Sequence, residues 1–218
     1  KKRYEEEGFQ RAITVLPLGV HQTSKVEKLP FTSRLSIGYL GNIARHKGLL
    51  VMLRELATIG AHEKIGIEIH GNAKDAEVKK FARRFLNNRI RFHGAYRSDT
   101  DLRSILTNIH LLIFPSIWEE NCPLVIREAL IYGVPVIASN IGGVPEIIKH
   151  GINGFLFDPY EKGALARQIE SVLENPEMLE SITDGARNTK VERMEEHVSQ
   201  MCDLYQLALK DGASNSPI

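Results

Sequence analysis

Short apolar runs and amphipathic segments alternate along most of the chain. Each apolar run has the length of a strand, and several are followed at once by Gly or by Gly-Asn. Runs of this kind, bounded by turn residues, are typical of strands buried in a parallel sheet. We predict strands at residues 13–19, 35–40, 65–70, 90–93, 110–115, 134–138 and 154–157.

The segments between these runs repeat apolar residues at the spacing of a helix. Near the end of the chain the repeat has steps of four and three, which predicts a long helix with one face directed inward. The residues of that face are Met194, Val198, Met201 and Tyr205. We predict helices at residues 48–60, 75–87, 99–106, from 121 onward, 165–173, from 176 onward, and 191–209.

Strands that alternate with helices predict a parallel sheet covered by helices on both faces. The fold class is therefore α/β, with one Rossmann-like domain and a helical C-terminal extension. We expect this domain to occupy residues 13–210. Residues 1–12 are interpreted as a linker or the end of a helix, and residues 211–218 as a flexible tail.

The composition excludes several classes of protein. A net charge of +1 with 25% charged residues gives no reason to expect a nucleic-acid partner. The two cysteines, Cys122 and Cys202, are far apart and form no CxxC motif, which favours a reducing compartment. No apolar run has the length of a membrane span. Because the chain lacks an initiator Met and begins in the middle of a pattern, we expect it to be a fragment.

Glycines follow three of the predicted strands. Gly41, Gly71 and Gly94 each come directly after an apolar run. The carboxyl ends of parallel strands meet at one edge of a sheet, where α/β proteins bind their ligands. A glycine there lets the backbone approach a ligand closely, because no side chain intervenes.

A helix that begins just after the strand at 110–115 predicts a phosphate site. Asn121 is expected to cap this helix, with Pro123 in its first turn. Helix N-termini carry free N–H groups and a positive dipole end, which favour phosphate. Lys47 would add a compact cation and Arg45 a forked donor. Taken singly, each residue is better explained as ordinary surface, but their shared place at strand ends favours a diphosphate site.

Two carboxylates flank the start of this helix. Glu128 lies inside an otherwise apolar helix, so it either pairs with a buried cation or accepts hydroxyl groups of a ligand. A ribose diol suits its two oxygens. Glu120, in the loop before the helix, is expected to reach a more exposed group such as a sugar hydroxyl. The alternative is that Glu128 belongs to a charged stripe on a half-exposed helix.

Four motifs together carry a resemblance to a known family. They are Glu120-x7-Glu128, Gly-Val-Pro-Val-Ile-Ala-Ser at 133–139, Gly-Gly-Val-Pro-Glu at 142–146 and Gly-Ile-Asn-Gly-Phe-Leu at 151–156. The chain resembles the donor-binding half of a family 4 (group 1) glycosyltransferase of the GT-B fold. That fold places two Rossmann-like domains face to face, and the resemblance implies that the N-terminal, acceptor-binding domain is absent here.

The resemblance implies a role for each candidate residue. Glu128 would hold the ribose of a nucleotide-diphosphate sugar, Glu120 its sugar ring, and Lys47 its diphosphate; Glu120 and Lys47 are the expected catalytic residues. The backbone of Asn121, Cys122, Pro123 and Leu124 would bind sugar and diphosphate, and the loops at Gly71-Asn72 and Gly94 to Tyr96 would border the base. The family often has Arg where Asn42 stands, beside Gly41, so either Arg45 supplies that charge or the diphosphate is held more weakly.

The resemblance also implies retention of anomeric configuration, with no metal and no cofactor. The expected enzyme is a hexosyl or related transferase, inactive as this half alone. Its partners would be the nucleotide sugar and the missing domain, and its location the cytoplasm, with contact to a membrane only through that domain. A GT-B-like epimerase, a phosphorylase-like relative and a catalytically silent binding module remain as alternatives.

Three motifs suggest other chemistry and are set aside. Asp99-Thr-Asp101 has the form of a metal-binding DxD, but Asp99 is better explained as a helix cap. His62-Glu63 begins like a zincin motif, yet no second histidine follows. Cys122 at a helix N-terminus would have a lowered thiol pKa, but no base stands near it in sequence. The chain also lacks GxGxxG after its first strand and a Walker A motif.

Overall fold

The computed structural model describes residues 2–8, 13–21, 34–59, 62–72, 80, 89–96 and 98–214. The chain divides into two compact units. One comprises Ser24–Lys190, and the other combines Lys1–Thr23 with Val191–Ile218. Among the described residues, no helix is long and apolar enough to cross a membrane.

The described part of the Ser24–Lys190 unit contains one six-stranded sheet in which every pairing is parallel. This confirms the predicted α/β class and Rossmann-like fold. The strands are β1 Leu35–Leu40, β2 Ile65–His70, β3 Ile90–Gly94, β4 Leu111–Phe114, β5 Val136–Ser139 and β6 Gly154–Phe157.

The strand order is β3-β2-β1-β4-β5-β6, so the chain moves outward from β1 in one direction and then from β4 in the other. The two central strands pair through Ile37 with Leu111 and Gly38 with Leu112. The order reverses between β1 and β4, and ligands of open α/β sheets bind in the crevice at such a point. The loops that follow β1 and β4 are therefore the first place to look for a site.

Helices connect the strands, and most lie within a few residues of the predicted segments. The short helix at Val144–Ile147 was not predicted, and the last helix ends at Ser214 instead of residue 209. A 3₁₀ turn at Arg45–Lys47 precedes the first connecting helix, and another lies at His62–Lys64. We number the α-helices in chain order, counting those that the structure describes. This unit contains α2 Leu49–Leu56, α3 Asp99–Thr107, α4 Leu124–Ile131, α5 Val144–Ile147, α6 Ala164–Glu174 and α7 Pro176–Asn188. In the other unit, α1 is Lys2–Glu6 and α8 is Met194–Ser214. The helix predicted at 75–87 lies almost wholly outside the described residues.

Alternate residues of each strand enter the two sides of the core. Leu111 and Ile113 of β4 belong to a cluster that also contains apolar residues of α2 and α6. Leu112 and Phe114 point to the opposite face and are buried as well. A parallel sheet buried on both faces needs near-continuous apolar strands, which explains why these runs carry few polar residues.

The strand predicted at 13–19 is wrong. Residues 13–19 form no regular structure, and only Val20 makes an isolated parallel bridge, to Arg193. Val20 donates to the carbonyl of Glu192 and accepts from the amide of Met194, both over 3.1 Å. An apolar run becomes a strand only when a neighbouring strand satisfies its backbone, and a single bridge does not do so.

The inward face predicted for α8 is also wrong by about one position. Val198 and Tyr205 are 51% and 65% exposed, whereas Met194 and Met201 are half-buried together with His197 and Leu204. The Nδ1 of His197 bonds the carbonyl oxygen of Pro17 over 2.8 Å. This polar contact turns His197, rather than Val198, toward residues 13–21.

Candidate functional site

Lys47 and Glu120 form an ion pair where the loops after β1 and β4 meet. The Nζ of Lys47 contacts the Oε1 of Glu120, and the two side chains are 27% and 19% exposed. The two residues are 73 positions apart in sequence. The structure thus brings together the two predicted catalytic residues at the point where the strand order reverses.

Ser116 lies beneath this pair, and the sequence analysis missed it. It lies two residues after the end of β4 and is only 1% exposed. Its Oγ lies 3.4 Å from Glu120 Oε1 and 3.3 Å from the His46 carbonyl, and it accepts from the Trp118 amide over 3.2 Å. The signal available in the sequence was a small polar residue that follows the apolar run and Pro115 at the end of this strand.

The same two loops are joined through their backbones. Ile117 donates to the His46 carbonyl over 2.9 Å. Gly48 has a φ of 72°, and a Cβ there would lie 1.6 Å from the carbonyl oxygen of Pro115. Only glycine fits this place, so Gly48 allows the Lys47 loop to approach the end of β4.

Gly142 and Gly143 support the Glu120 loop from the other side. Gly143 donates to the Glu120 carbonyl over 2.7 Å. A Cβ on Gly142 would lie 2.6 Å from the Glu120 carbonyl oxygen, and one on Gly143 would lie 2.1 Å from that of Asn121. Glycine is therefore needed at both positions because the two backbones touch there, and not only because the loop contains a positive φ.

Helix α4 begins later than predicted, so the cap assigned to Asn121 is wrong. The N-cap is Pro123, and no side chain caps the helix. Proline favours this place because its extended ψ of 108° ends the loop and its missing N–H is not needed there. The first helical amides belong to Leu124 and Val125, and Leu124 is 45% exposed. The helix N-terminus nevertheless follows the Glu120 loop directly.

The intervening residues Asn121 and Cys122 differ in their surroundings. Asn121 is exposed, whereas Cys122 is half-buried and its Sγ accepts from the Nε of Arg127 over 3.1 Å. Arg127 is thereby directed back along α4 to the loop. The thiol is occupied by this contact, which gives no support to a nucleophilic role.

Glu128 is the half-buried carboxylate of α4. Burial raises its pKa, and the negative charge of Asp99 raises it further. Within the described part of the chain, no hydrogen-bond donor or cation contacts this carboxylate. Burial also raises the pKa of Tyr96, with a smaller contribution from Glu128. Glu128, Tyr96 and Asp99 therefore lie near one another, and among the described residues nothing occupies the Glu128 carboxylate, which can accept hydrogen bonds from a ligand.

The three predicted glycine loops meet as expected. Gly41 donates to the His70 carbonyl over 3.0 Å, and Gly71 to the Gly94 carbonyl over 2.7 Å. A Cβ on Gly71 would lie 1.8 Å from the Gly41 carbonyl oxygen. These contacts hold the ends of β1, β2 and β3 together at the carboxyl edge of the sheet.

The asparagines of these loops are exposed and are fixed through their backbones. The Asn72 carbonyl accepts from Ile43 over 2.9 Å, and the Asn42 carbonyl accepts from the Tyr39 hydroxyl over 2.9 Å. Arg45 is exposed in the 3₁₀ turn that also carries Lys47. Asn42 and Arg45 thus lie on the same loop as the ion pair.

A stacked histidine pair that sequence reasoning did not identify lies at the ends of β2 and β3. The rings of His70 and His93 are 4.3 Å apart and nearly parallel. His93 Nε2 bonds Glu68 Oε2 over 2.6 Å. Burial and the neighbouring His93 lower the pKa of His70 to about 4, although Glu68 opposes this shift. His70 is therefore neutral at physiological pH.

The DxD-like motif is a helix start, but its cap is not the predicted one. Ser98 is the N-cap of α3, and its Oγ accepts from the Asp101 amide over 3.1 Å. Asp99 is the first helical residue instead. Across the residues that the structure describes, no group of three or more His, Cys, Asp or Glu side chains is arranged to hold a metal ion.

The motif at 151–154 lies at the opposite edge of the sheet, before β6. Asn153 is 1% exposed; its Oδ1 accepts from the Lys149 amide over 2.8 Å, and its Nδ2 donates to the Ile147 carbonyl and to Thr189 Oγ1. A Cβ on Gly154 would lie 1.9 Å from the Val136 carbonyl oxygen. This motif is structural and does not belong to the site.

Comparison with known proteins places the chain in a well-populated group. The sequence model described as "Glycosyl transferases group 1" matches residues 21–189. Alpha-D-kanosaminyltransferase of Streptomyces kanamyceticus is 27% identical over 163 residues, which are 73% of this chain and 42% of that protein. The chain spans less than half the length of such curated relatives.

Solved structures share the fold. The Anabaena protein HepE, solved in complex with UDP-glucose, has a TM-score of 0.72 and 24% identity, over 79% of this chain and 49% of that one. Sucrose-phosphate synthase from Thermosynechococcus elongatus has a TM-score of 0.82 and 22% identity, over 96% of this chain and 56% of that one. These neighbours have the GT-B fold, and this chain corresponds to about half of each.

Proposed function

The chain belongs to the group 1 glycosyltransferase family, and from this premise we propose that it is the donor-binding domain of a retaining glycosyltransferase. The donor is a nucleotide-diphosphate sugar, and the acceptor is held by a second domain. The observation that carries this proposal is the meeting of Lys47 and Glu120 at the reversal of strand order, just before α4.

Donor recognition begins with the ribose. Glu128 has a half-buried carboxylate that no donor satisfies among the described residues. Two adjacent hydroxyl groups would bind both of its oxygens. A hydrogen bond to a charged group contributes about 1.5–3 kcal/mol, so loss of Glu128 weakens such a ligand roughly ten- to a hundredfold. Tyr96, beside Glu128, then borders the base together with the loops at Gly71-Asn72 and Gly94.

The diphosphate takes the next position. Lys47 supplies a cation from the β1 loop, and the first amides of α4 supply a helix N-terminus. The family often has Arg at the position of Asn42. In this chain Arg45, on the same loop, supplies that second cation. Glu120, on the far side of Lys47, then receives hydroxyl groups of the sugar.

These positions define what this half contributes to the reaction. Negative charge develops on the diphosphate as the bond to the sugar breaks. Lys47 and the amides of α4 stabilise that charge in an oriented, partly buried site. The proposed reaction uses no metal and no cofactor, and the chemistry belongs to residues of the chain and to the substrate.

The relatives support this proposal and indicate where to begin. The HepE structure contains UDP-glucose, so UDP and UDP-glucose are the first ligands to test. Because the chain spans less than half of its curated relatives, we propose that the acceptor wall of the cleft lies in an N-terminal domain. The two free cysteines suit a reducing compartment, and we place the whole protein in the cytoplasm, with membrane contact only through that domain.

Calorimetric titration of the 218-residue chain with UDP, GDP and ADP tests the proposal. At least one nucleotide should bind, and Glu128→Ala should weaken that binding ten- to a hundredfold. Glu119→Ala, which removes an exposed carboxylate from the neighbouring loop, is the matched control and should change the affinity less than twofold. Failure of all three nucleotides to bind contradicts the proposal.

Turnover separates the transferase from its alternatives. With the full-length protein, a transferase consumes the nucleotide sugar only when an acceptor is present. An epimerase would convert the sugar without an acceptor, and a silent binding module would bind nucleotide with no turnover. Loss of turnover in Lys47→Gln, with nucleotide-sugar consumption in the parent protein, supports the proposed role of Lys47.

A further inference from the structure

The two charged groups assigned to the donor already neutralise each other. Lys47 Nζ contacts Glu120 Oε1, and both side chains are largely withdrawn from solvent, at 27% and 19% exposure. A ligand that recruits either group must therefore act on the other. This coupling has a consequence for which ligands the site prefers.

The Glu120 side of the pair is the more firmly fixed. Its backbone carbonyl accepts from Gly143 over 2.7 Å, and its carboxylate has a second neighbour in Ser116 Oγ, at 3.4 Å. Lys47 reaches the pair through a flexible four-carbon chain. A phosphate group thus draws Lys47 toward itself while Glu120 stays in place.

The outcome depends on whether the ligand carries a sugar. A nucleoside diphosphate takes the charge of Lys47 and offers Glu120 nothing in return, so a mostly buried carboxylate loses its cation. A nucleotide sugar also draws on Lys47, but its hydroxyl groups donate to Glu120 and replace the lost contact. The carboxylate therefore opposes the sugar-free nucleotide and accepts the complete donor.

We propose that the Lys47–Glu120 pair determines specificity by disfavouring the sugar-free nucleoside diphosphate relative to the nucleotide sugar. This inference rests on the proposed function, because it assigns the diphosphate to Lys47 and the sugar to Glu120. Since the nucleoside diphosphate is the product of transfer, the pair also promotes its release. Glu120 then contacts the sugar, favours the nucleotide sugar over the nucleoside diphosphate, and promotes release of the nucleoside diphosphate.

The test compares the affinities of two ligands in three proteins. UDP and UDP-glucose are titrated into the parent chain, Glu120→Gln and the control Glu119→Gln, with GDP and GDP-mannose, and ADP and ADP-glucose, in parallel. In Glu120→Gln we expect UDP to bind about three- to tenfold more tightly, because the competing charge is gone. UDP-glucose should bind no more tightly than to the parent. Glu119→Gln should leave the ratio of the two dissociation constants unchanged.

Failure of this inference differs from failure of the proposed function. If the parent chain binds nucleotide but Glu120→Gln binds UDP no more tightly, or gains equally for UDP-glucose, the pair does not select and the inference is overturned alone. If the parent binds none of UDP, GDP and ADP, the proposed function is contradicted, and the inference that rests on it is overturned as well. Should Glu120→Gln fail to fold, Glu120→Asp retracts the same charge by one methylene and should give a gain for UDP of about twofold; no gain there overturns the inference.

Discussion

Gly143 donates its backbone N–H to the carbonyl oxygen of Glu120 over 2.7 Å, so the loop after β5 holds the loop after β4. The contact is close enough that a Cβ on Gly143 would lie 2.1 Å from the carbonyl oxygen of Asn121. The place of the Glu120 carboxylate is thus set from outside its own loop.

Gly143→Ala should displace the Glu120 loop. Gly143 has a φ of −83°, so alanine meets no backbone strain there and acts only through the clash with Asn121. We expect a loss of about 1–3 kcal/mol in the free energy of unfolding and weaker binding of UDP-glucose. Urea denaturation and calorimetry measure the two effects.

The matched control is Gly151→Ala. Gly151 has a φ of 77° with nothing within 4 Å of its expected Cβ, and it lies at the opposite edge of the sheet. It should lose about 1 kcal/mol through strain and bind UDP-glucose as the parent does. Equal loss of binding in both variants would contradict a specific role for the Gly143 contact.

Removal of the Ser116 hydroxyl should alter sugar binding more than nucleotide binding. Ser116 Oγ contacts Glu120 Oε1 and the backbone of the adjoining loop. Ser116→Ala removes this contact, so the Glu120 carboxylate is less firmly positioned for a sugar hydroxyl. We expect UDP-glucose to bind about three- to tenfold more weakly, with a smaller change for UDP. The fluorescence of Trp118, the sole tryptophan of the chain, provides a titration signal beside Glu120.

Ser116→Thr is the conservative companion to that variant. It retains the hydroxyl and should restore at least part of the affinity for UDP-glucose. A merely structural role for Ser116 would lower the affinities for UDP and UDP-glucose by the same factor, and threonine would not restore the difference between them.

Nucleotide binding should weaken in acid at a higher pH than an ordinary glutamate would require. Burial and then Asp99 raise the pKa of Glu128, and the ionised carboxylate is the form that accepts two ribose hydroxyl groups. Asp99→Asn removes one cause, so the pKa of Glu128 should fall and binding should persist to lower pH. Dissociation constants measured from pH 4 to 8 check this; an unchanged midpoint in Asp99→Asn contradicts it.

Glu128→Gln should bind nucleotide ten- to a hundredfold more weakly and yet be no less stable at neutral pH. A raised pKa means that the folded protein binds this proton more tightly than the unfolded chain does. Stability from this group is therefore present below the unfolded pKa and is lost as pH rises through the folded one. Glutamine resembles the protonated form, so its advantage in unfolding free energy should grow across that window. The exposed control Glu174→Gln should show no such trend.

Glu55 provides a prediction for the fold alone. This buried residue of α2 accepts from the Gly163 amide over 3.0 Å and from the Ala166 amide over 3.4 Å, so it caps α6 from a distant part of the chain. Glu55→Ala leaves buried amides without an acceptor and should cost about 2–3 kcal/mol in unfolding free energy. Glu55→Gln keeps one acceptor and should cost less. Nucleotide affinity should be unchanged in both.

Local patterns predicted much of the fold correctly. The strands at Leu35–Leu40, Ile65–His70 and Gly154–Phe157 agree residue for residue, because a buried parallel strand is largely apolar and is followed by turn residues. The start of α7 at Pro176 was read from proline in a first turn. The predictions failed where contacts with distant residues determine the structure. Among the described residues, no strand pairs with residues 13–19, and His197 faces inward on α8 because it bonds the carbonyl of Pro17.

For the candidate site, too, local patterns predicted some features correctly and others wrongly. Glu120, Glu128 and the glycines after the strands were named from spacing, because strand ends and helix starts can be located along a sequence. Capping was misjudged at both helices, where Pro123 and Ser98 take the places predicted for Asn121 and Asp99. A cap depends on the dihedral angles of one residue, and several neighbours of suitable type compete for it.

The sequence alone thus determined the alternation of strands and helices, the family resemblance and the set of polar residues at one sheet edge, since each follows from the order of residues along the chain. Tertiary structure decided which of those residues meet. Lys47 and Glu120 are 73 positions apart, and they pair because the strand order places β1 beside β4. Their pairing, with Ser116 beneath it and Gly143 behind it, depends on packing between loops that no local pattern encodes.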